Sequence, residues 1–177
     1  MKKIILAAIA TIWMAAAAQA QIGYKGQMSL ELLPGITHAG GWTGTFRLGA
    51  FLSEHSNLGA GVWFDHTTYD ASMGDSFKTS QWMGSVDYRY SLPVNRFIFM
   101  PGGGLLLGGE QSDTVSKLGN LLPYANQFIY GVAVNLGFEY VLGRNWALVA
   151  EPRLHYLFKT NFDNLKLSIN VGIKYYF

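Results

Sequence analysis

The sequence contains no cysteine, so it can form neither a disulfide framework nor a thiol-linked lipid anchor. It also lacks an excess of either charge. The whole chain is formally +2, and two of its lysines, Lys2 and Lys3, lie in an N-terminal segment with the features of a cleaved leader. The remaining residues include eleven basic and eleven acidic side chains, which excludes a general basic affinity for nucleic acid.

Long apolar runs are missing from everything but the N-terminus. Residues 1–3 are positively charged, residues 4–18 are apolar, and Ala18-Gln19-Ala20 matches a signal-peptidase site. This order predicts a signal peptide over residues 1–20 and a mature chain that begins at Gln21. No later apolar run reaches the roughly 20 residues that a spanning helix needs, so we do not expect an inner-membrane protein.

A strict alternation of side chains is present at the C-terminus. Odd positions from Leu165 to Phe177 are apolar, whereas even positions are polar, small or ring-bearing. Such a strand fits the wall of an outer-membrane barrel, with one face in lipid and the other in the lumen. The end also resembles the β-signal read by the outer-membrane insertion machinery, which is a partner that this resemblance implies; the matching residues are Asn170, Gly172, Tyr175 and Phe177.

Alternation of this kind recurs along the mature chain in segments long enough to cross a bilayer as tilted strands. The sequence therefore predicts an all-β, eight-stranded antiparallel up-and-down transmembrane β-barrel over residues 21–177, located in the outer membrane. The predicted strands are approximately 27–37, 43–53, 58–69, 78–92, 96–109, 128–142, 146–158 and 165–177.

The predicted connections alternate between short and long, apart from a short first loop over residues 38–42. Pro, Asn and Gly favour tight turns at Glu54–Asn57, Pro93–Asn95 and Gly143–Asn145. Longer connections are expected at Asp70–Phe77, Glu110–Gln127 and Lys159–Asn164. Outer-membrane barrels have short periplasmic turns and longer outer loops, and an even number of strands places both termini in the periplasm.

Charged residues avoid one face of every predicted strand. A Lys or Arg that faces lipid at the midplane costs about 2–4 kcal/mol, whereas a soluble sandwich would bury its apolar face and expose its charges. The other charged residues of the mature chain, Glu110 among them, are expected in turns, loops or strand ends. The residues predicted to face the lumen are Glu31, Arg47, Asp65, Asp87, Arg89, Glu139, Glu151, Arg153, Lys166 and Lys174.

An eight-stranded barrel is only just wide enough inside for its own side chains. Five acids and five bases in that space must pair with one another, because an unpaired buried charge is strongly unfavourable. The sequence therefore predicts an ion-paired plug, and the alternative is an open diffusion pore.

Several other motifs have a structural and a chemical interpretation. The run Gly102-Gly103-Gly104 is similar to a phosphate loop, but no Lys-Ser/Thr follows it, so we expect glycines that ease strand curvature. The histidines, at positions 38, 55, 66 and 155, show no metal-ligand spacing, and no metal or cofactor is expected. Glu151, Arg153 and His155 share one strand face, where they could serve acid–base chemistry or belong to the plug.

An enzyme is the alternative from another class, because some eight-stranded barrels are lipid-modifying acyltransferases. A Ser-His-Asp-like set of suitable residue types is present in the predicted loops as His38, Ser76 and Asp113. No spacing brings these residues together in the sequence. We therefore expect a non-enzymatic protein with no catalytic residues.

From the second strand onward the chain resembles the TraO family of conjugal-transfer proteins, which are small outer-membrane barrels. The resemblance implies an envelope component of a conjugative DNA-transfer apparatus, with other transfer proteins as partners and no direct contact with DNA. The segments that carry it are Val86–Tyr90, Gly104–Glu110, Phe128–Gly131, Glu139–Leu142, Arg144, Arg153 and Gly172.

The alternative within the barrel class is a free-standing, OmpX-like small barrel that binds a partner or surface ligand through its outer loops. The longest predicted loop begins with polar and acidic residues and continues with an apolar patch suited to such a contact. The candidate partner residues in this loop are Leu118, Leu121, Leu122, Pro123 and Tyr124.

Overall fold

A computed structural model describes residues 24–70, 76–113, 116 and 126–177. The predicted signal peptide and the candidate partner residues 118–124 lie outside this part of the chain. Within the described residues, no helix is long and apolar enough to cross a membrane. The strands are β1 Met28–Thr37, β2 Trp42–Ser53, β3 Ser56–Asp70, β4 Ser76–Tyr90, β5 Leu92–Val94, β6 Phe97–Ser112, β7 Gln127–Val141, β8 Trp146–Leu157 and β9 Leu165–Tyr176.

Eight of these strands close into one antiparallel barrel. Each long strand pairs with its neighbours in the chain, β9 returns to pair with β1, and β4 pairs directly with β6. The short β5 forms a small hairpin with the start of β6, beside the closed sheet. The predicted all-β, eight-stranded antiparallel barrel is therefore confirmed.

The predicted and observed strand ends differ most where turns and glycines interrupt the alternation. The predicted tight turn Pro93–Asn95 overlaps the last two residues of β5, and the chain turns at Asn95, whose φ is 57°. Strand β6 continues to Ser112, so placing Glu110 at the start of a loop was wrong. Strands β3 and β4 likewise pair out to Asp70 and Ser76.

The two ends of the barrel differ in their connections. At one end, which we call the terminal end, Met28 and Phe177 exchange backbone hydrogen bonds and the strands are joined by short turns. At the other end, which we call the loop end, lie the connections after β1, β3, β6 and β8.

The burial pattern is the reverse of that in a soluble domain. Large apolar side chains such as Leu32, Val62 and Val171 are more than half exposed on the outer surface. The inward positions carry mostly polar and charged side chains, which are buried, together with two apolar clusters. Because side chains alternate along a strand, the period of two in the sequence produces both surfaces.

Candidate functional site

All ten charged residues predicted for the lumen lie inside the barrel and are at most 1% exposed. They come from seven of the eight long strands, which the closed sheet brings around one axis. Their charged groups are therefore removed from solvent together, and each must be balanced by a neighbour inside the lumen.

Arg47 is the centre of this charge network. Its Nη1 lies 2.6 Å from Glu31 on β1, its Nε lies 3.0 Å from Asp87 on β4, and its Nη2 lies 2.9 Å from Glu151 on β8. The planar guanidinium presents donors in several directions, so one side chain from β2 connects three other strands.

Two further arginines complete the centre. Arg89 Nη2 lies 2.6 Å from Glu31, and its Nη1 lies 3.6 Å from Glu151. Arg153 donates through Nη2 to Asp87. Three arginines thus share three acids, and this arrangement crosslinks opposite walls of the barrel.

The lysines extend the network towards both ends. Lys174 Nζ lies 2.6 Å from Glu139 and 3.1 Å from Glu31, and Tyr176 also donates to the Glu139 carboxylate. Nearer the loop end, Lys166 Nζ lies 3.2 Å from Asp65. Each lysine therefore has an acidic partner on another strand.

Glycines make room for the large charged side chains. A Cβ on Gly59 would lie 2.9 Å from Cδ of Arg47, and a Cβ on Gly104 would lie 2.5 Å from a carboxylate oxygen of Asp87. A Cβ on Gly102 would collide with Cγ of Arg89. The Gly102–Gly104 run therefore belongs to a strand and accommodates the network, which agrees with a structural role and not with a phosphate loop.

Apolar layers lie on both sides of the ionic centre. The layer at the terminal end includes Phe51, Met100 and Tyr176. The layer towards the loop end includes Trp63, Met83 and Leu106. Apolar side chains therefore lie on either side of the ion pairs within the lumen.

Glu110 is the functional residue that the sequence prediction missed. It is 3% exposed, and its carboxylate accepts hydrogen bonds from Gln81 Nε2 at 2.6 Å and Gln127 Nε2 at 2.9 Å. It also accepts from Thr160 Oγ1 at 2.6 Å and from the Asn161 backbone N–H at 3.2 Å. Glu110 thus fastens the connection between β8 and β9 to three other strands at the loop end.

An aromatic cluster reinforces this closure. Phe162, in the same connection, stacks on Tyr69 with ring centroids 5.3 Å apart and contacts Phe77 at 5.4 Å. Tyr69 and Phe77 face each other across the hairpin of β3 and β4. We call Glu110 with its four donors and these three rings the cap.

Glu151, Arg153 and His155 share one strand face, but each contacts different residues in the lumen. Glu151 and Arg153 are held in the ionic centre, whereas the His155 ring packs against Trp63 with centroids 4.4 Å apart. Their contacts are those of plug residues. Among the described residues, no group of three or more His, Cys, Asp or Glu side chains could hold a metal ion.

Of the residues considered for an acyltransferase, Ser76 and Asp113 lie near each other at the ends of the paired strands β4 and β6, whereas His38 lies beside β1 and β9. His38 follows β1, and its Nδ1 accepts from the Leu167 backbone N–H. Asp113 follows β6, and its carboxylate accepts from the Lys78 backbone N–H. Ser76 begins β4 and pairs in register with Asp70. Both the His38 and the Asp113 side chains therefore hold backbone near their own strands.

The predicted assembly residues occupy both faces of β9. Asn170 is buried in the lumen, where its Nδ2 donates to the Glu151 carbonyl. A Cβ on Gly172 would collide with the Leu32 carbonyl oxygen on β1. Tyr175 contacts Trp146 on the outer surface, where Phe177 is also exposed. Their role as an assembly signal stays a prediction.

A closed barrel with an apolar outer surface and an ion-paired lumen defines the class of small membrane-spanning barrels. The family model described as "Outer membrane protein beta-barrel domain" matches residues 4–177, and the chain belongs to this family. It is therefore an outer-membrane protein. No curated protein is significantly similar to it.

Solved structures with the same fold come from several bacteria. A major outer membrane protein of Thermus thermophilus is 15% identical, with a TM-score of 0.62 and coverage of 87% of this chain and 100% of that one. OprG of Pseudomonas aeruginosa is 10% identical, with a TM-score of 0.58 and coverage of 90% and 99%. Neisserial surface protein A is 19% identical, with a TM-score of 0.54 and coverage of 85% and 95%. At these identities the likeness shows the fold alone.

Proposed function

We propose that this protein is a non-conducting outer-membrane barrel. The barrel is held in the membrane, and its loop end serves as a recognition surface. One observation carries the proposal: ten charged side chains from seven strands fill the lumen and are at most 1% exposed. A barrel whose interior is occupied in this way acts through its outer surface and its loops, and not through a passage.

Ion passage would require breaking the centre of the network. Removing one partner from a buried ion pair costs about 3–5 kcal/mol, and Arg47 alone is paired with three acids. A permeating ion would also have to enter the apolar layers on both sides, where it would lose its hydration. Both costs oppose conduction.

Planar-bilayer recording tests this proposal. We expect the purified protein to produce no steady single-channel steps, while an open porin recorded under the same conditions shows that the assay detects conduction. Large and steady steps from the folded protein would contradict the proposal and favour the open pore.

The ligand or partner in this proposal meets the loop end. The membrane lipid surrounds the barrel, the insertion machinery contacts it during assembly, and no contact with nucleic acid is proposed. Protease treatment of intact cells, followed by identification of the cleaved connections, tests whether the loop end faces outwards. We propose no catalytic role for His38, Ser76 or Asp113.

A component of a conjugative DNA-transfer apparatus is the second candidate. This candidate rests on the resemblance to the TraO family alone. The family model that matches is that of the general barrel domain, which does not distinguish the two candidates. The position of the gene discriminates between the candidates. Adjacency to other transfer genes favours the second candidate, and an isolated gene favours the free-standing barrel.

A further inference from the structure

Two aromatic rings and a glycine form a row across three neighbouring strands on the outer surface near the loop end. In the register of the sheet, Trp82 on β4 is paired with Gly109 on β6, and Gly109 is paired with Phe128 on β7. Outward side chains from paired positions stand side by side, so the missing side chain of Gly109 separates the two rings.

This gap is a shallow, open depression of about 310 Å³, which we call the Gly109 notch. Trp82 is 60% exposed and Phe128 is 58% exposed, so the faces of both rings are available to a ligand. The lining residues are Trp82, Gly109, Glu110, Gln111, Asn126, Gln127 and Phe128.

Neighbouring rings keep the walls of the notch apart. The Trp82 ring packs towards β3, where its centroid lies 4.2 Å from that of Phe64. Phe128 stacks along its own strand on Tyr130, with centroids 6.4 Å apart. Both rings are thus engaged away from Gly109, and the notch is formed before any ligand arrives.

A second glycine on the outer surface shows that an outward glycine does not always leave a gap between aromatic rings. Gly44 on β2 is paired with Phe64, and the Phe64 and Trp42 rings come within 4.7 Å of each other beside it. Aromatic rings therefore meet next to Gly44, whereas the described side chains next to Gly109 leave a depression between them.

The lining suits a neutral ligand with both apolar faces and hydroxyl groups. Aromatic faces carry partial negative charge that attracts the C–H groups of a sugar ring. The amide side chains of Gln111 and Asn126, both exposed, can donate to and accept from hydroxyls. Among the described residues that line the notch none is basic, and the Glu110 carboxylate is engaged by the cap, which favours an uncharged ligand.

We propose that the Gly109 notch binds a sugar unit in the headgroup of an outer-leaflet glycolipid. Below the notch, Leu107 and Leu105 continue outward along β6 and are 60% and 65% exposed. An acyl chain attached to the bound sugar would lie along these leucines. The proposal rests on the proposed function in one respect, since the loop end must face the outer leaflet.

The experiment uses the full barrel in phospholipid nanodiscs and purified lipopolysaccharide with its core sugars as the probe. We expect saturable binding by the wild type, detected by native mass spectrometry, and at least tenfold weaker binding by Gly109→Leu, whose side chain fills the notch. A Cβ on Gly109 would have the Gln127 carbonyl oxygen as its nearest neighbour, at 3.8 Å, so the substitution fits the backbone.

Gly44→Leu is the matched control, because a Cβ there meets no atom within 4 Å and the position lies outside the notch. It should bind lipopolysaccharide like the wild type. A heat-dependent shift in electrophoretic mobility verifies that each variant is folded. Trp82→Ala, which removes one wall, should also weaken binding.

Two outcomes would overturn the assignment: no binding by the folded wild type above the phospholipid background of the nanodisc, or equal binding by Gly109→Leu and Gly44→Leu. If binding fails while the loop end is cleaved on intact cells and the barrel does not conduct, only the notch assignment is wrong and the proposed function stands.

Discussion

At the scale of single residues, Arg47 carries the largest share of the charge network. Its replacement by methionine would leave Glu31, Asp87 and Glu151 without their common partner while keeping an apolar side chain in the lumen. We expect Arg47→Met to lower the free energy of unfolding by about 3–5 kcal/mol, because the three buried acids then share one buried cation fewer among Arg89, Arg153 and Lys174. Urea unfolding in phospholipid vesicles measures this change.

Lys166→Met is the control for Arg47→Met. Lys166 has Asp65 as its acidic partner at 3.2 Å, and Asp65 keeps its hydrogen bond from Thr67 Oγ1, so the loss of Lys166 affects one acid and should cost less. The double variant Arg47→Met/Glu151→Gln should lose less than the two single variants together, since it removes charges of both signs. Equal losses at Arg47 and Lys166, or strict additivity, would count against Arg47 as the centre.

At the scale of elements, the alternation in the sequence was sufficient to predict all eight long strands and the face that each turns inward. It was not sufficient at the end of β6. Gly108 and Gly109 carry no side chains, so the pattern is lost over two positions, and Glu110 beyond them was placed in a loop although it shares the inward face with Leu106.

The sequence pattern also could not predict which charged residues pair with each other in the lumen. A period of two assigns faces, but it does not contain the stagger between strands, which decides which charges meet. Arg47 and Glu151 are 104 residues apart and become partners only through that stagger. The same holds for the Gly109 notch, which depends on the register of β4, β6 and β7.

The role of Glu110, which the sequence pattern placed in a loop, can be tested through the cap. Glu110→Ala removes the acceptor that holds Thr160 and Asn161, and hydrogen bonds to a charged group contribute about 1.5–3 kcal/mol each. We expect trypsin to cleave after the exposed Lys159 at least tenfold faster in this variant, with the cleaved bond identified by mass spectrometry. Gln111→Ala, at the neighbouring exposed position, should be cleaved at the wild-type rate. An unchanged rate in Glu110→Ala would show that the aromatic cluster alone holds this connection.

At the scale of the whole molecule, the lumen contains closures in series. From the loop end inwards they are the cap around Glu110, the apolar layer around Trp63 and the ionic centre around Arg47, with a second apolar layer beyond. Resistances in series are set by the largest one, so opening a single closure leaves the others to block ions. Each layer therefore contributes to the stability of the barrel. Ion conduction, in contrast, is blocked by several layers, and no single layer controls it.

The closures in series make a prediction for ion conduction. In planar bilayers, Glu110→Ala, Trp63→Ala and Arg47→Ala should each remain without steady single-channel steps, although Arg47→Ala unfolds more easily. The triple variant, if its heat-dependent mobility shift shows a folded barrel, should also remain without steady steps, because the layer around Phe51 and Met100 at the terminal end still closes the lumen. Steady steps from one single variant would show that the layer altered in that variant alone closes the lumen. Steady steps from the folded triple variant would show that the layer around Tyr176 does not close the lumen by itself.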